Sequence, residues 1–272
     1  MYQVARGWQA VAMSPTDADL LEGRLGDDPV LDLALATALL EQVAAGQRGP
    51  VIRVYEPAPT VAFGRRDSFL KGFVPAVEAA TRAGFTPAIR SAGGRAAAYH
   101  EECLVIDEIV PARDAMADVD ARFADEAESQ AQALRELGID ARVGEVPGEY
   151  CPGRFTVNAG GQTKLIGAAQ RIISGAWLFS SVVVVGGARL VRDVLVEVYA
   201  ALGLEWDPGS VGAVADEVQG ATVAQVQAAL LGRLGARYRL TPSVMGEVER
   251  AAAQERLDRH RPVPGSRRSD GD

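Results

Sequence analysis

Between residues 51 and 185 the chain is cut into short apolar runs by Gly, Pro and Asn, and this punctuation constrains the fold more than any other feature. Residues 51–55 and 60–63 read as strands parted by Pro57 and Pro59. Residues 85–90 and 96–110 read as strands around Gly93 and Gly94, the second stretch turning near His100 to Glu102. A short strand is expected at 141–143. Residues 155–158 and 162–173 flank Asn158-Ala159-Gly160-Gly161, where glycines that tolerate positive φ predict a hairpin turn, and a further strand follows at 176–185.

Helices frame these runs. Residues 29–46 place Leu31, Leu35, Leu39 and Val43 at helical spacing behind Asp28 and Pro29. Further helices are predicted at 75–83, 120–137, 190–202, 222–238 and 242–257. Hairpin-joined strands with helices before and after them imply an α+β domain on a mixed or antiparallel sheet flanked by helices. We expect one catalytic domain over residues 1–240, a C-terminal helix over 241–258 and a disordered tail over 259–272, where no apolar period remains.

Charge and composition narrow the function class. A net charge of −8 argues against a nucleic-acid partner, because phosphate binding needs a basic face. No eighteen consecutive apolar residues occur and the first residues lack an apolar run behind a basic start, so no membrane span or leader is expected. Two cysteines, Cys103 and Cys151, suit a reducing, cytoplasmic compartment. Two histidines offer no metal site. Of 28 basic residues only Lys71 and Lys164 are lysine, which marks both as positions that can require a compact ammonium.

Three segments could carry chemistry. The first, Arg90-Ser91-Ala92-Gly93-Gly94-Arg95, brings backbone close to a ligand between arginines that suit a carboxylate or phosphate, although a Gly pair between strands is by itself most often a turn. The second is a strand in which Lys164 alternates with apolar neighbours, so that by the two-residue period it shares a face with Ile166, Ala168 and Gln170. There an ammonium could hold a carbonyl oxygen as charge develops, or simply guard a sheet edge. The third is Cys151, on a loop ahead of that strand, where a nearby cation could favour a nucleophilic thiolate. Cys103, in an apolar run, reads as a buried structural thiol.

Taken in order, Pro57-x-Pro59-Thr60-Val61-x-Phe63-Gly64-Arg65, Arg90-x-x-Gly93-Gly94-Arg95-Ala96-x-x-x-His100 and Gly161-x-x-Lys164-x-x-Gly167-x-Ala169-Gln170-Arg171 resemble the lipoate–protein ligase and octanoyltransferase family over about residues 30 to 235. The resemblance implies a fold shared with biotin protein ligases and class II synthetases, and transfer of an octanoyl or lipoyl group to a carrier lysine. It implies that Arg90, Gly93, Gly94, Arg95 and His100 line the acyl site with Gly64, Arg65, Gly167 and Ala168, and that Lys164 contacts the acyl carbonyl. In the cysteine-dependent branch of the family, Cys151 would carry the acyl-thioester. Departures are Ile89 and Ala92 beside the Gly pair, Glu101 where Asp is usual, Ala36-Thr37 in the first helix, and a short Cys151 to Lys164 spacing.

The implied partners are an acyl carrier protein and a lipoyl domain or glycine-cleavage H protein, with no intrinsic cofactor. The alternative is an ATP-dependent lipoate ligase using magnesium, in which Lys164 would face the carboxylate and α-phosphate. A third reading is a non-catalytic relative that binds an acyl chain or carrier.

Overall fold

The computed structural model describes residues 15–262. The strands are β1 (Thr16–Glu22), β2 (Val51–Tyr55), β3 (Thr60–Phe63), β4 (Thr86–Ile89), β5 (Ala97–Tyr99), β6 (Cys103–Pro111), β7 (Ala141–Val143), β8 (Val157–Ala159), β9 (Thr163–Ile173), β10 (Ala176–Val184) and β11 (Tyr238–Ser243). The helices are α1 (Pro29–Ala44), α2 (Phe73–Arg82), α3 (Val119–Glu136), α4 (Ala188–Leu202), α5 (Val214–Glu217), α6 (Val223–Leu234) and α7 (Glu247–Gln254). Eight strands form one sheet in the order β11-β1-β2-β6-β10-β9-β8-β7, and β4-β3-β5 form a second. Both sheets are mixed: β1 runs parallel to β2 and β11, β3 runs parallel to β4, and the remaining pairs are antiparallel. The expected α+β class with a mixed, helix-flanked sheet is what forms.

Each layer follows from its apolar pattern. Asp28 caps α1 by accepting from the Val30 amide at 3.0 Å, and Pro29 occupies the first turn, where its missing N–H costs nothing. Leu31, Leu35, Leu39 and Val43 then pack on Val51, Ile109 and Leu178 of the large sheet. Burying one such leucine contributes about 2 kcal/mol. On the opposite face Leu134 of α3 and Leu230 of α6 cover Ile52, Leu104 and Val183. The small sheet, α2 and α4 form a third cluster around Phe63, Phe73, Leu195 and Val198.

The main departures lie at the two ends. Strand β1 was not expected, and it pairs with a segment more than two hundred residues away. The helix expected at 222–238 stops at Leu234, and residues 238–243 are a strand instead. Pro242 is tolerated there because β11 is an edge strand, where a missing donor leaves no ladder bond unmade. The expected boundary at 240 and 241 therefore cuts through β11, and the last helix begins only at Glu247.

The expected tail is corrected at its start. His260 is buried, its Nδ1 lies 2.7 Å from the Ile89 carbonyl and its Nε2 lies 3.0 Å from Thr37 Oγ1. The rest of that tail, residues 263–272, lies outside the described residues. Among the described residues no helix is long and apolar enough to cross a membrane.

Candidate active site

Sequence-predicted residues from three separate segments meet at one thiol. The loop between β7 and β8 is wound around Glu149, whose wholly buried carboxylate accepts from the Val146 amide at 3.2 Å and from Thr156 Oγ1 at 2.8 Å. It also pairs with Lys164 Nζ at 2.8 Å. That ammonium donates in turn to the carbonyls of Tyr150 at 3.1 Å and Cys151 at 2.9 Å. Glu149 carried no signal in the sequence, since one more acid in an acidic chain does not stand out.

Lys164 reaches this position through an irregularity. The β8–β9 register shifts between Val157 and Asn158, which breaks the two-residue alternation on which the expected Lys164, Ile166 and Ala168 face depended. The side chain lies instead over Gly167, where a Cβ would come within 2.9 Å of Lys164 Cε. The ammonium is buried and engaged by Glu149 and two carbonyls, so its first role here is to hold the Cys151 loop.

Cys151 has φ +43°, a left-handed conformation unusual for a side chain other than Gly or Asn. Its amide donates to Tyr199 Oη at 2.9 Å, and the same hydroxyl donates to the Ala96 carbonyl at 2.9 Å. Tyr199, from α4, thus ties the cysteine loop to the strand after the Gly pair. Cys151 Sγ accepts from the Arg95 amide at 3.2 Å and from Arg90 Nη2 at 3.3 Å. Burial alone would push this thiol up. The Arg90 and Lys164 charges and the Arg95 amide outweigh it and hold the thiol below the usual cysteine range.

Gly93 and Gly94 both line the cleft, and the second is under a further constraint. A Cβ on Gly94, at φ +100°, would stand 2.8 Å from Cys151 Sγ and overlap the Arg90 guanidinium, whereas one on Gly93 would meet nothing within 4 Å. Gly94 makes room for the sulfur. Gly64 is backed against the Gly94 carbonyl, and buried Asp67 accepts from the Gly64 amide at 2.9 Å and Arg95 Nη1 at 3.1 Å. Arg95 is thus anchored away from the thiol by its side chain and serves it by its backbone.

The thiol opens into a cleft of about 650 Å³ whose walls include Gly93, Gly94, Phe155, Lys164, Ala168 and Gln170. Arg65 stands exposed at its edge. Ser91, Ala92 and Ala169 are shared with a second, narrower cavity that runs between the sheets past Leu33, Ala36, Gly167, Leu178 and Val182. Asp107 and Ser180 also line it, joined by a 2.6 Å hydrogen bond.

His100 takes no part in either. It is buried in the β5–β6 turn, Nε2 3.3 Å from the Gly187 carbonyl and Nδ1 accepting from the Glu102 amide at 3.3 Å. The expected place at the pocket is replaced by a packing role at the N-terminal end of α4, because the turn points the ring away from the Gly pair. Lys71 is exposed and lines neither cavity. Among the described residues no three His, Cys, Asp or Glu side chains gather as a metal-binding group.

Comparison with known proteins gives the family of the chain. Residues 28–234 match the family described as the lipoyl protein ligase A/B catalytic domain. The octanoyl-[GcvH]:protein N-octanoyltransferase of Geobacillus kaustophilus is 27% identical over 176 residues, covering 65% of this chain and 62% of that protein. Its counterpart in Anoxybacillus flavithermus is 30% identical over 165 residues, 61% of this chain and 59% of that protein. The chain thus spans about three fifths of the length of these relatives. Lipoate-protein ligase A bound with ATP superposes with a TM-score of 0.70 at 21% identity, covering 90% of this chain and 95% of the other. The bipartite lipoate protein ligase of Thermoplasma acidophilum superposes with a TM-score of 0.68 at 21% identity, covering 90% and 93%. These two likenesses establish the shared fold.

Proposed function

Because the chain belongs to the lipoyl protein ligase A/B catalytic-domain family, we propose that it is an acyltransferase that moves an octanoyl group onto a carrier lysine through a thioester on Cys151. The observation that carries this reading is the setting of the thiol. Cys151 Sγ sits between the Arg90 guanidinium and the Arg95 amide in the wall of an open cleft of about 650 Å³. The names of the curated relatives support an octanoylated glycine-cleavage H protein as donor and another protein as acceptor, and the E2 lipoyl domain named with the Thermoplasma acidophilum ligase gives the class of acceptor proposed. An octanoyl acyl carrier protein is the second donor to be tested.

In the first step the Cys151 thiolate attacks the acyl carbonyl, the carbon–sulfur bond forms, and the donor leaves. A donor lysine leaves as an amine and must collect a proton, whereas a donor thiol leaves as thiolate. In the second step a neutral lysine amine attacks the thioester, the amide forms, the Cys151 thiolate is restored and the amine's proton is released. Arg90 and the Arg95 amide stabilise the thiolate whenever it is free. Lys164 keeps Cys151 in its left-handed conformation and adds positive charge behind it. The octanoyl chain lies along the cleft of about 650 Å³ past Phe155 and Ala168, since the second cavity, at about 40 Å³, is too small for eight carbons. A thiol nucleophile also suits the reducing cytoplasmic location expected from the sequence.

Intact-mass measurement tests the proposal. Incubation with an octanoyl thioester donor, without ATP, adds one octanoyl mass that hydroxylamine removes and that is absent in Cys151→Ser. Transfer of free lipoate that requires ATP and magnesium and survives Cys151→Ser would replace this reading with the ligase one. Binding of an acylated carrier with neither adduct nor ATP use would favour the non-catalytic one.

A further inference from the structure

The loop from Gly64 to Lys71 is built in two halves. Its inward half is fixed, with Gly64 against the Gly94 carbonyl and Asp67 wholly buried against Gly64 and Arg95, and on the outside Ser68 Oγ donates to the Arg65 carbonyl at 2.7 Å. Its outward half shows Arg65, Arg66 and Phe69 to solvent, Phe69 being 81% exposed. An aromatic ring held in water on a rigid loop gains nothing for the fold.

Charge gathers in the same place. The cleft edge carries Arg65, Arg66, Arg154 and Arg171, against one acid, Asp120, which Arg154 pairs with at 2.8 Å. Among the described residues Arg65, Arg66 and Arg171 have no ion-pair partner. A chain of net charge −8 thus presents a positive rim where the thiol opens. Exposed arginines beside an exposed aromatic are the composition of a protein-binding surface, and a pre-fixed loop loses little entropy on docking.

We propose that this loop and rim form the docking surface for a folded carrier domain with acidic side chains beside its acyl-carrying lysine. The inference rests on the acyl-transfer reading above and names the chemistry of its partner. Attraction between the rim and the carrier brings the lysine over the cleft, and Phe69 supplies the apolar contact at the edge.

Binding of an apo glycine-cleavage H protein, followed by fluorescence anisotropy, tests the surface without requiring turnover. Arg66→Glu with Phe69→Ala is expected to weaken binding at least tenfold. So is changing the acids beside the acyl-carrying lysine of the H protein to amides. Raising ionic strength from about 0.01 to about 0.15 M shortens the screening length from about 30 to about 8 Å and should weaken the wild-type pair more than the variant. Affinities within twofold across these variants overturn the proposal. Acylation of Cys151 by a small uncharged octanoyl thioester, read in parallel, should stay within twofold in Arg66→Glu. An equal loss there would also overturn it, by showing that the substitution damages the thiol rather than docking. Absence of the adduct in wild type counts against the transfer reading alone.

Discussion

The two cysteines are both desolvated, Cys103 wholly buried and Cys151 partly exposed at the cleft, yet they are opposite in chemistry. Cys103 begins β6 inside an apolar cluster, and burial pushes its thiol up to about 12, the Glu102 charge adding to a rise that one backbone hydrogen bond resists. Cys151 is also desolvated, yet its thiol lies below the usual range because Arg90, Lys164 and the Arg95 amide face it. Burial therefore does not decide whether a thiol can react. What decides is whether the fold brings fixed positive groups to the sulfur, and here that takes a loop wound on a buried carboxylate and a glycine with no room for a side chain.

The comparison breaks most directly at the sulfurs. Cys151→Ser should lower acyl-enzyme formation by orders of magnitude, since a serine hydroxyl offers no accessible anion near neutral pH. Cys103→Ala should leave it within about twofold, and equal losses would make the distinction meaningless.

Lys164→Met comes next, because it leaves the Glu149 carboxylate buried without its ammonium. Such a loss costs about 3–5 kcal/mol, read by denaturant unfolding, and adding Glu149→Gln should recover most of it. A single variant as stable as wild type would show that the pair does not hold the loop. Gly94→Ala should then cut transfer at least tenfold while Gly93→Ala changes it less than twofold, because only the first methyl meets the sulfur. The expected gap between neighbouring glycines is the measurement.

Arg90→Gln sharpens the electrostatic side. The pH at which alkylation of Cys151 reaches half its plateau rate should rise, with Cys103 unlabelled throughout. No movement would remove Arg90 as the dominant positive group.

The smallest effect concerns stability and pH. The lowered thiol of Cys151 stabilises the fold above the ordinary cysteine range, and this stabilisation fades as pH falls towards the folded-state value. Cys103 has the reverse sign: the native thiol keeps its proton up to about 12, so its contribution is lost as pH rises from the ordinary range. Cys103→Ala should therefore cost about 1 kcal/mol at neutral pH and less at alkaline pH. A difference independent of pH would contradict the raised value.

Much of this was legible in local patterning. The hairpins, α1 and the segments holding Arg90, Gly94, Cys151 and Lys164 all announce themselves through Gly and Pro punctuation and apolar spacing. The residues that hold these groups in place did so less well. Glu149, Asp67 and Tyr199 act through contacts that span gaps in sequence, and nothing in their neighbours marks them. Strand β1 was hidden for the same reason: TDADLLE alternates poorly, and its parallel partner β11 lies at the far end of the chain. The register shift at Asn158 concealed the true direction of Lys164, since a period of two cannot anticipate a bulge.

The left-handed backbone at Cys151 has a consequence for how this position drifts. A residue with a Cβ at φ +43° carries a cost on the order of 1 kcal/mol that Gly would avoid. Selection for stability alone therefore favours losing the sulfur, and under the proposed acyl transfer it is selection for turnover that keeps it. A descendant that gave up chemistry for binding would be expected to acquire Gly or Asn here before its core changed, so the identity of this one residue serves as a record of whether a lineage still uses the cleft.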